Sequence, residues 1–225
     1  MSYLIFLIKA IICLCPWIFK RRILNRFWGY QLHPSSKIGF SWVYPRHLTM
    51  AKGSKINHFN VAIHLDEILM EAESVIERGN WITGFPSGLK SAHFAHQPKR
   101  VSRLRMGSHS AITKNHHLDC TNEIQIGSHA TIAGYGSQFL THSIDLQENR
   151  QDSRLIQIGD YCFIGTDVVV LGGAILPSHS VLAAKSLLNK AYSDDWHLYA
   201  GVPAIPKGEI PKSAKYFTRK EGFVY

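Results

Sequence analysis

The sequence predicts an all-β protein, a parallel β-helix of hexapeptide repeats with an apolar helix at its N-terminal end, and three observations carry that reading. Aliphatic residues recur every six positions at Ile158, Ile164, Val170, Leu176, Leu182 and Leu188. A small residue, often Gly, commonly follows, as in Ile158-Gly159, Ile164-Gly165 and Leu182-Ala183. The stretch from 158 to 190 also leaves no space for the crossover helices of a doubly wound α/β sheet.

A period of six is neither the roughly 3.6 of an α-helix nor the plain alternation of a long strand. It fits short strands separated by tight corners, with three blocks closing one triangular coil. The aliphatic residue fills the interior, the next residue is small where the backbone turns, and stacked coils share one core. The same frame runs through Met106, Ile112 and Leu118, then slips by two residues to Ile126 and Ile132. Weaker traces at Ile38, Leu48, Ile56, Ile76 and Ile82 extend it toward the N-terminal end. Residues 31–206 therefore form the repeat domain, after an apolar and basic segment at 1–30 and before a tail at 207–225. Two stretches break the frame, near 85–105 and 144–157, and read as insertions, where a rigid solenoid places function. Gly134-Tyr135-Gly136-Ser137 lacks the third glycine and the helix pattern of a dinucleotide fingerprint.

A chain of 225 residues with 45% hydrophobic and 18% charged residues buries a core and is not disordered. The formal net charge of +9 gathers at Lys20-Arg21-Arg22 with Arg26 and at Lys99-Arg100 with Arg103 and Arg105. No nucleic-acid motif accompanies either cluster, so no nucleic-acid partner is expected. Cys13, Cys15, Cys120 and Cys162 form no CxxC pair, which argues against a zinc ribbon or a disulfide framework and fits a reducing compartment. The apolar run from Tyr3 to Phe19 is interrupted by Lys9 and Pro16 and falls short of the about 20 apolar residues of a spanning helix. It also lacks the flanks of a cleaved signal peptide. Two readings stand: a helix lying in the membrane interface, or a helix packed over the first coil. The basic cluster that follows favours a cytoplasmic body at the inner face of the cell membrane, in peripheral contact with anionic lipid.

Four pieces of the stretch from about 106 to 206 carry a resemblance. They are Leu140-Thr141-His142-Ser143-Ile144-Asp145, Ile158-Gly159-Asp160-Tyr161-Cys162-Phe163-Ile164-Gly165, Leu182-Ala183-Ala184-Lys185-Ser186, and Tyr199-Ala200-Gly201-Val202-Pro203-Ala204. Together they resemble the hexapeptide-repeat acyltransferases, in particular the sugar and exopolysaccharide O-acetyltransferases. That resemblance implies a left-handed β-helix, a homotrimer, acetyl-CoA as acyl donor without a metal, and a sugar or lipid-linked oligosaccharide as acceptor. It places Thr166, Ala184, Asn189 and Lys190 along the coenzyme A path, with Lys207 a weaker candidate, and matches His142 to the catalytic histidine. The chain departs from the family at Lys185, where Gly is common, and at Phe163, where Trp is common.

Transfer of an acetyl group from a thioester to a hydroxyl needs a base for that hydroxyl, and an imidazole serves near neutral pH. His142 stands at the base of the second insertion. Counting by frame, Asn122 on the preceding coil and Ala174 on the next are expected to stack near it. Asp145 is a candidate to orient the imidazole, and Asn115, His117 and Asp119 are candidates for an acceptor pocket. Asn115-His116-His117-Leu118-Asp119 also invites a metal-dependent reading of the β-helix carbonic anhydrase type. That reading needs a second histidine shortly after His142, where the chain has Gln147. A non-catalytic β-helix scaffold is the remaining alternative.

Overall fold

Every six-residue block from the sequence becomes one short strand, and three blocks close one coil. The computed structural model describes residues 3–224. Coil one holds Gln31–Leu32, Lys37–Ile38 and Trp42–Tyr44; coil two His47–Met50, Lys55–Ile56 and Val61–Ile63; coil three Glu67–Met70, Val75–Ile76 and Trp81–Thr83. Coil four holds Arg103–Met106, Ala111–Ile112 and His117–Asp119; coil five Ile124–Ile126, Thr131–Ile132 and Gln138–Leu140. Coil six holds Ile156–Ile158, Phe163–Ile164 and Val169–Leu171; coil seven Ile175–Leu176, Val181–Leu182 and Leu187–Leu188. The first strands of the coils form one parallel sheet, the second strands another and the third strands a third. All six aliphatic positions of the 158–188 frame are buried at 1% exposure or less, so the repeat phase read from the sequence is the core of the protein. The earlier traces at Ile38, Leu48, Ile56, Ile76 and Ile82 are buried in the same core.

The corner between the second and third sheets explains why polar residues sit inside this core. Asn60 N–H donates to Ser41 Oγ at 2.9 Å, Asn80 N–H to Asn60 Oδ1 at 2.9 Å, and His116 N–H to Asn80 Oδ1 at 2.9 Å. The ladder continues as Ser137 N–H donates to His116 Nδ1 at 3.2 Å and Val168 N–H to Ser137 Oγ at 3.3 Å. Each side chain thus satisfies the amide that the next coil's corner leaves unpaired, and a buried amide without a partner costs about 1–3 kcal/mol.

The ends of the solenoid are closed differently. Helix α1 (Tyr3–Leu14) and helix α2 (Trp17–Phe27) are separated at Pro16, whose ring disfavours a helical conformation in the residue before it. Ile12, Lys20 and Leu24 face the solenoid, with Trp17, Ile23 and Trp28 packed beside them, and so cover the open end of coil one. Lys20 is 3% exposed, and its Nζ donates to Gly39 O at 2.7 Å and Cys13 O at 3.2 Å. It is therefore a structural cation inside the cap, and the solvent-facing part of the first basic cluster is Arg22 and Arg26, with Arg21 half-buried. Most of α1 remains exposed, including Leu4, Leu7, Ile11 and Leu14. No described helix is long and apolar enough to cross a membrane.

At the other end, His197–Gly201 joins the second sheet beside Val181–Leu182, and Ala204–Glu209 returns antiparallel to it, so the sheet runs on to Glu209. The segment beyond lies back along the corner between the first and second sheets. There His109, His129, Tyr161, His179 and Trp196 stack ring on ring, with successive centroids 4.9, 4.5, 5.2 and 4.5 Å apart. Arg219 covers Tyr161 and Tyr216, and Phe217 packs on His179 and Trp196.

His116 makes the corner ladder sensitive to acid. Its Nδ1 accepts from Ser137 N–H, and Nε2 lies 3.0 Å from Thr113 Oγ1, whose own hydrogen goes to Gly134 O. Only the neutral Nε2–H tautomer fits. Burial, reinforced by the neighbouring His117, pushes the group down to about 4. Because the folded value lies below the unfolded one, its stability contribution is complete above about pH 6.5 and is lost as pH falls toward 4. Replacing His116 by Asn, the residue used at the preceding two steps, removes that titration. Urea denaturation of the wild type should therefore lose up to about 3 kcal/mol more between pH 7 and pH 4 than His116→Asn does. Parallel stability–pH curves would refute the assignment.

Candidate active site

Both insertions leave the solenoid at the same corner, between the third sheet and the first. Residues 84–102 separate coils three and four, and residues 141–155 separate coils five and six. The first insertion stops at Ser102, since Arg103 already pairs with Glu67 in the first sheet. Asp66 fastens it at both feet, accepting from Ser87 N–H at 2.9 Å, Ser87 Oγ–H at 2.6 Å and Ser102 N–H at 3.1 Å. Arg100 is buried, donates to Phe85 O at 2.6 Å and to Thr121 O, and lies 4.6 Å from the Phe94 ring centre. The second insertion is a hairpin in which His142–Asp145 pairs antiparallel with Arg150–Ser153. Gln97 of the first insertion locks it, its Nε2 donating to Asp152 Oδ1 at 2.7 Å and Ser153 O at 2.9 Å, while its Oε1 accepts from Ser153 Oγ–H at 2.6 Å.

Between the two insertions lies an open cleft of about 310 Å³, lined by Phe85, His93, Phe94, Asp119, Thr121 and His142 among others. Thr141 is buried and roots the histidine, its Oγ–H donating to Asp119 O at 2.7 Å while the oxygen accepts from Asn122 N–H at 2.9 Å. The next coil must be bare beside it: a Cβ on Gly172 would stand 2.6 Å from Thr141 O. His142 Nδ1 is hydrogen-bonded to Asp119 Oδ2, which also accepts from His142 N–H at 3.2 Å. The other carboxylate oxygen accepts from Thr121 N–H at 3.0 Å and Thr121 Oγ–H at 2.7 Å. Burial alone would raise Asp119, but the hydrogen bonds from His142 and Thr121 outweigh it and hold the carboxyl below its usual range. The hydrogen bond to Asp119 raises His142 above its ordinary value against an opposing effect of burial, with the carboxylate's charge adding to the rise. The ionised carboxylate fixes the Nδ1–H tautomer and leaves Nε2 as the basic nitrogen. The Phe94 ring stands edge-on to the imidazole, with centroids 6.3 Å apart.

Of the residues singled out from the sequence, the structure brings His142 and Asp119 together and separates others. Asp145 sits near the hairpin tip, where its Oδ1 accepts from Gln147 N–H at 3.1 Å and it faces Arg150; Asp119 takes the orienting place expected for it. Asn122 stands one residue off the register position of His142, its N–H on Thr141 Oγ and its side-chain amide donating to Ser153 O and Oγ at the foot of the hairpin. Ala174 is fully buried in the core and offers no room to a substrate. The cause is register: Asp119 pairs with Leu140, an offset of 21 rather than 20, because coil five has one extra residue at the corner where Gly134 and Gly136 both adopt positive φ, 72° and 76°. Asn115 lies on the other edge of the third sheet, a corner residue at φ 56°, so it is no part of the cleft. His117 is exposed on that sheet between Trp81 and Gln138, two residues before Asp119. Phe85, Phe94 and Gln97 carry no signal in the sequence, because nothing along the chain shows that the two insertions meet.

Among the proposed donor residues, Thr166 and Ala184 occupy successive turns of the edge between the second and third sheets, while Asn189 and Lys190 lie on the His142 edge after coil seven. Ala184, Asn189 and Lys190 are exposed, and Thr166 Oγ–H donates to Tyr135 O at 2.9 Å. Lys185 takes a left-handed conformation, φ 58°, and its Nζ pairs with Asp167 at 2.7 Å. Among the described residues, no group of three His, Cys, Asp or Glu converges as a metal-binding set.

With this geometry in hand, the fold is recognisable as the left-handed parallel β-helix of the hexapeptide-repeat acetyltransferases. The polysialic acid O-acetyltransferase OatWY superposes with a TM-score of 0.58 at 14% identity, over 80% of this chain and 84% of that one. AntD, an N-acyltransferase from Bacillus cereus in complex with dTDP-4-amino-4,6-dideoxyglucose and coenzyme A, gives 0.52 at 12% identity, over 81% and 84%. A hexapeptide-repeat-containing acetyltransferase of Vibrio cholerae is 30% identical over 48% of this chain, with a TM-score of 0.45, and the match spans 64% of its length. No family model and no curated protein matches the sequence.

The pairing of His142 with Asp119 is measurable without any reaction. In Asp119→Asn the imidazole loses the carboxylate that stabilises its protonated form, so its titration, followed by NMR of the ring protons, should move down toward about 6.5. An unchanged titration would show that the two side chains are not coupled in solution.

Proposed function

We propose that the protein is an acetyl-CoA-dependent O-acetyltransferase acting on a sugar hydroxyl of a surface polysaccharide or its lipid-linked precursor. One observation carries the reading: on a hexapeptide-repeat β-helix, an imidazole oriented by a half-buried carboxylate stands in a cleft walled by the rings of Phe85, His93 and Phe94. Apolar ring faces beside polar groups suit a saccharide. OatWY's polysialic acid and the sugar nucleotide bound by AntD are carbohydrates as well.

In this mechanism Nε2 of His142 takes the proton of the acceptor hydroxyl as its oxygen attacks the thioester carbonyl. The new C–O bond forms, the C–S bond breaks as the tetrahedral intermediate collapses, and the proton on His142 passes to the leaving thiolate of coenzyme A. Asp119 stays ionised and stabilises the imidazolium between the two transfers. Thr166 and Ala184 lie on one edge of the third sheet and His142 on the other. A donor touching both edges crosses an open face, which a neighbouring copy closes in a cyclic homotrimer. Use of acetyl-CoA implies a cytoplasmic site of action.

His142→Ala should reduce transfer from acetyl-CoA to a saccharide acceptor by about 10²–10⁴-fold while leaving coenzyme A affinity, measured by calorimetry, largely intact. Near-native turnover in that variant would remove His142 from the mechanism. Only the neutral imidazole acts as base, so the rate should fall as pH drops through the raised value of His142. Asp119→Asn should move that acid limb to lower pH with a lower plateau, read from kcat against pH.

A further inference from the structure

The charge of the chain is divided along the solenoid axis. Residues 1–65 hold nine of the 25 Lys and Arg and none of the 16 Asp and Glu, whereas residues 66–225 carry 16 of each. The whole excess of +9 therefore lies in α1, α2 and the first two coils. The same end displays the largest collection of exposed apolar side chains on the molecule. Leu4 is 69% exposed, Leu7 57%, Ile11 57%, Leu14 71% and Ile18 60%, with Tyr3, Phe19 and Phe27 beside them. Arg21, Arg22 and Arg26 follow on α2, while Lys20 is turned inward as the strut of the cap.

We infer that this end of the protein is a docking surface for an anionic lipid bilayer, with α1 lying in the interface and the solenoid standing off the membrane. An apolar seam alone would also suit a second copy of the chain. Here exposed apolar residues surround most of α1, wider than a helix-pairing seam, and they sit in a segment that holds nine Lys and Arg and no Asp or Glu. A second identical copy would bring two such charged ends together. A helix of 12 residues is about 18 Å long against a hydrocarbon core of about 30 Å, so α1 lies along the surface and does not cross.

The docking fixes a height for the cleft. His142 follows coil five, four steps above coil one, and each step between paired strands is about 4.8 Å, so the cleft stands roughly 19 Å above the first coil. On the acetyl-transfer reading given above, a membrane-tethered saccharide is modified away from its lipid, at units that reach this height.

Sedimentation with vesicles of phosphatidylcholine, with and without phosphatidylglycerol, tests the docking surface without requiring turnover. The wild type should bind the mixed vesicles and weaken with added salt. Leu4→Ser/Leu7→Ser/Ile11→Ser should bind at least about tenfold more weakly with an unchanged circular dichroism spectrum. Arg22→Gln/Arg26→Gln should lose roughly tenfold or more on the mixed vesicles and little on neutral ones. A wild type that stays in the supernatant, or a folded apolar triple variant that binds as the wild type does, would overturn the inference. So would a lipid-free dimer that the triple variant converts to monomer without any vesicle binding. Failure of acetyl transfer to a soluble saccharide in all forms, with vesicle binding intact, would count against the catalytic reading alone.

Discussion

The parallel hydrogen bonding of each coil to the next is the constraint on which the rest of the molecule depends. Every strand amide and carbonyl in a central coil must find its partner one coil above or below, so no residue can be added inside a strand. Length changes are confined to corners, and large ones to a corner where the chain leaves and returns without breaking the ladder. The edge between the third and first sheets takes both long insertions, after coils three and five. Their separation by two coil steps lets Gln97 reach Asp152 and Ser153, and the cleft is the space left between them.

That arrangement also explains why a histidine on a flexible-looking loop is well placed for chemistry. His142 is the first strand residue of its hairpin, one position after the buried Thr141, so its backbone is set by the solenoid and not by the hairpin tip. Its partner Asp119 belongs to the preceding coil and is itself held by Thr121. Two opposing effects act on each group, burial against ion pairing, and the pairing prevails for both: Asp119 is held low and His142 is held high. The pair therefore keeps a charged carboxylate beside an imidazole that titrates above its ordinary value, as an orienting dyad requires.

The polar interior follows the same logic. A buried histidine, two asparagines and two serines along one corner look like a defect in a hydrophobic core until their hydrogen bonds are traced from coil to coil. Each accepts from the next amide, so the corner turns sharply without orphaned donors. Lys20 plays a comparable part at the open end, where its ammonium meets the carbonyl of Gly39, which no further coil is present to bind, and that of Cys13 in the last turn of α1.

The sequence by itself determined the architecture, because a six-residue aliphatic period has only one economical solution, and the predicted positions from Ile38 to Leu188 are buried core. It also marked His142 and located both interruptions. The partnership of His142 with Asp119 was decided only in three dimensions. One extra residue at the Gly134–Gly136 corner shifts the coil-to-coil offset to 21, so the register position of His142 is Thr121 where a fixed frame points to Asn122, and the carboxylate that meets the imidazole belongs to Asp119, two residues earlier. Likewise Phe85, Phe94 and Gln97 lie far from His142 in sequence, and Lys20 is indistinguishable in sequence from Arg21 and Arg22. Local periodicity fixes which residues face inward, since that depends on neighbours along the chain. Which side chains meet across coils depends on accumulated register and on the paths of the insertions, and those exist only once the solenoid has closed.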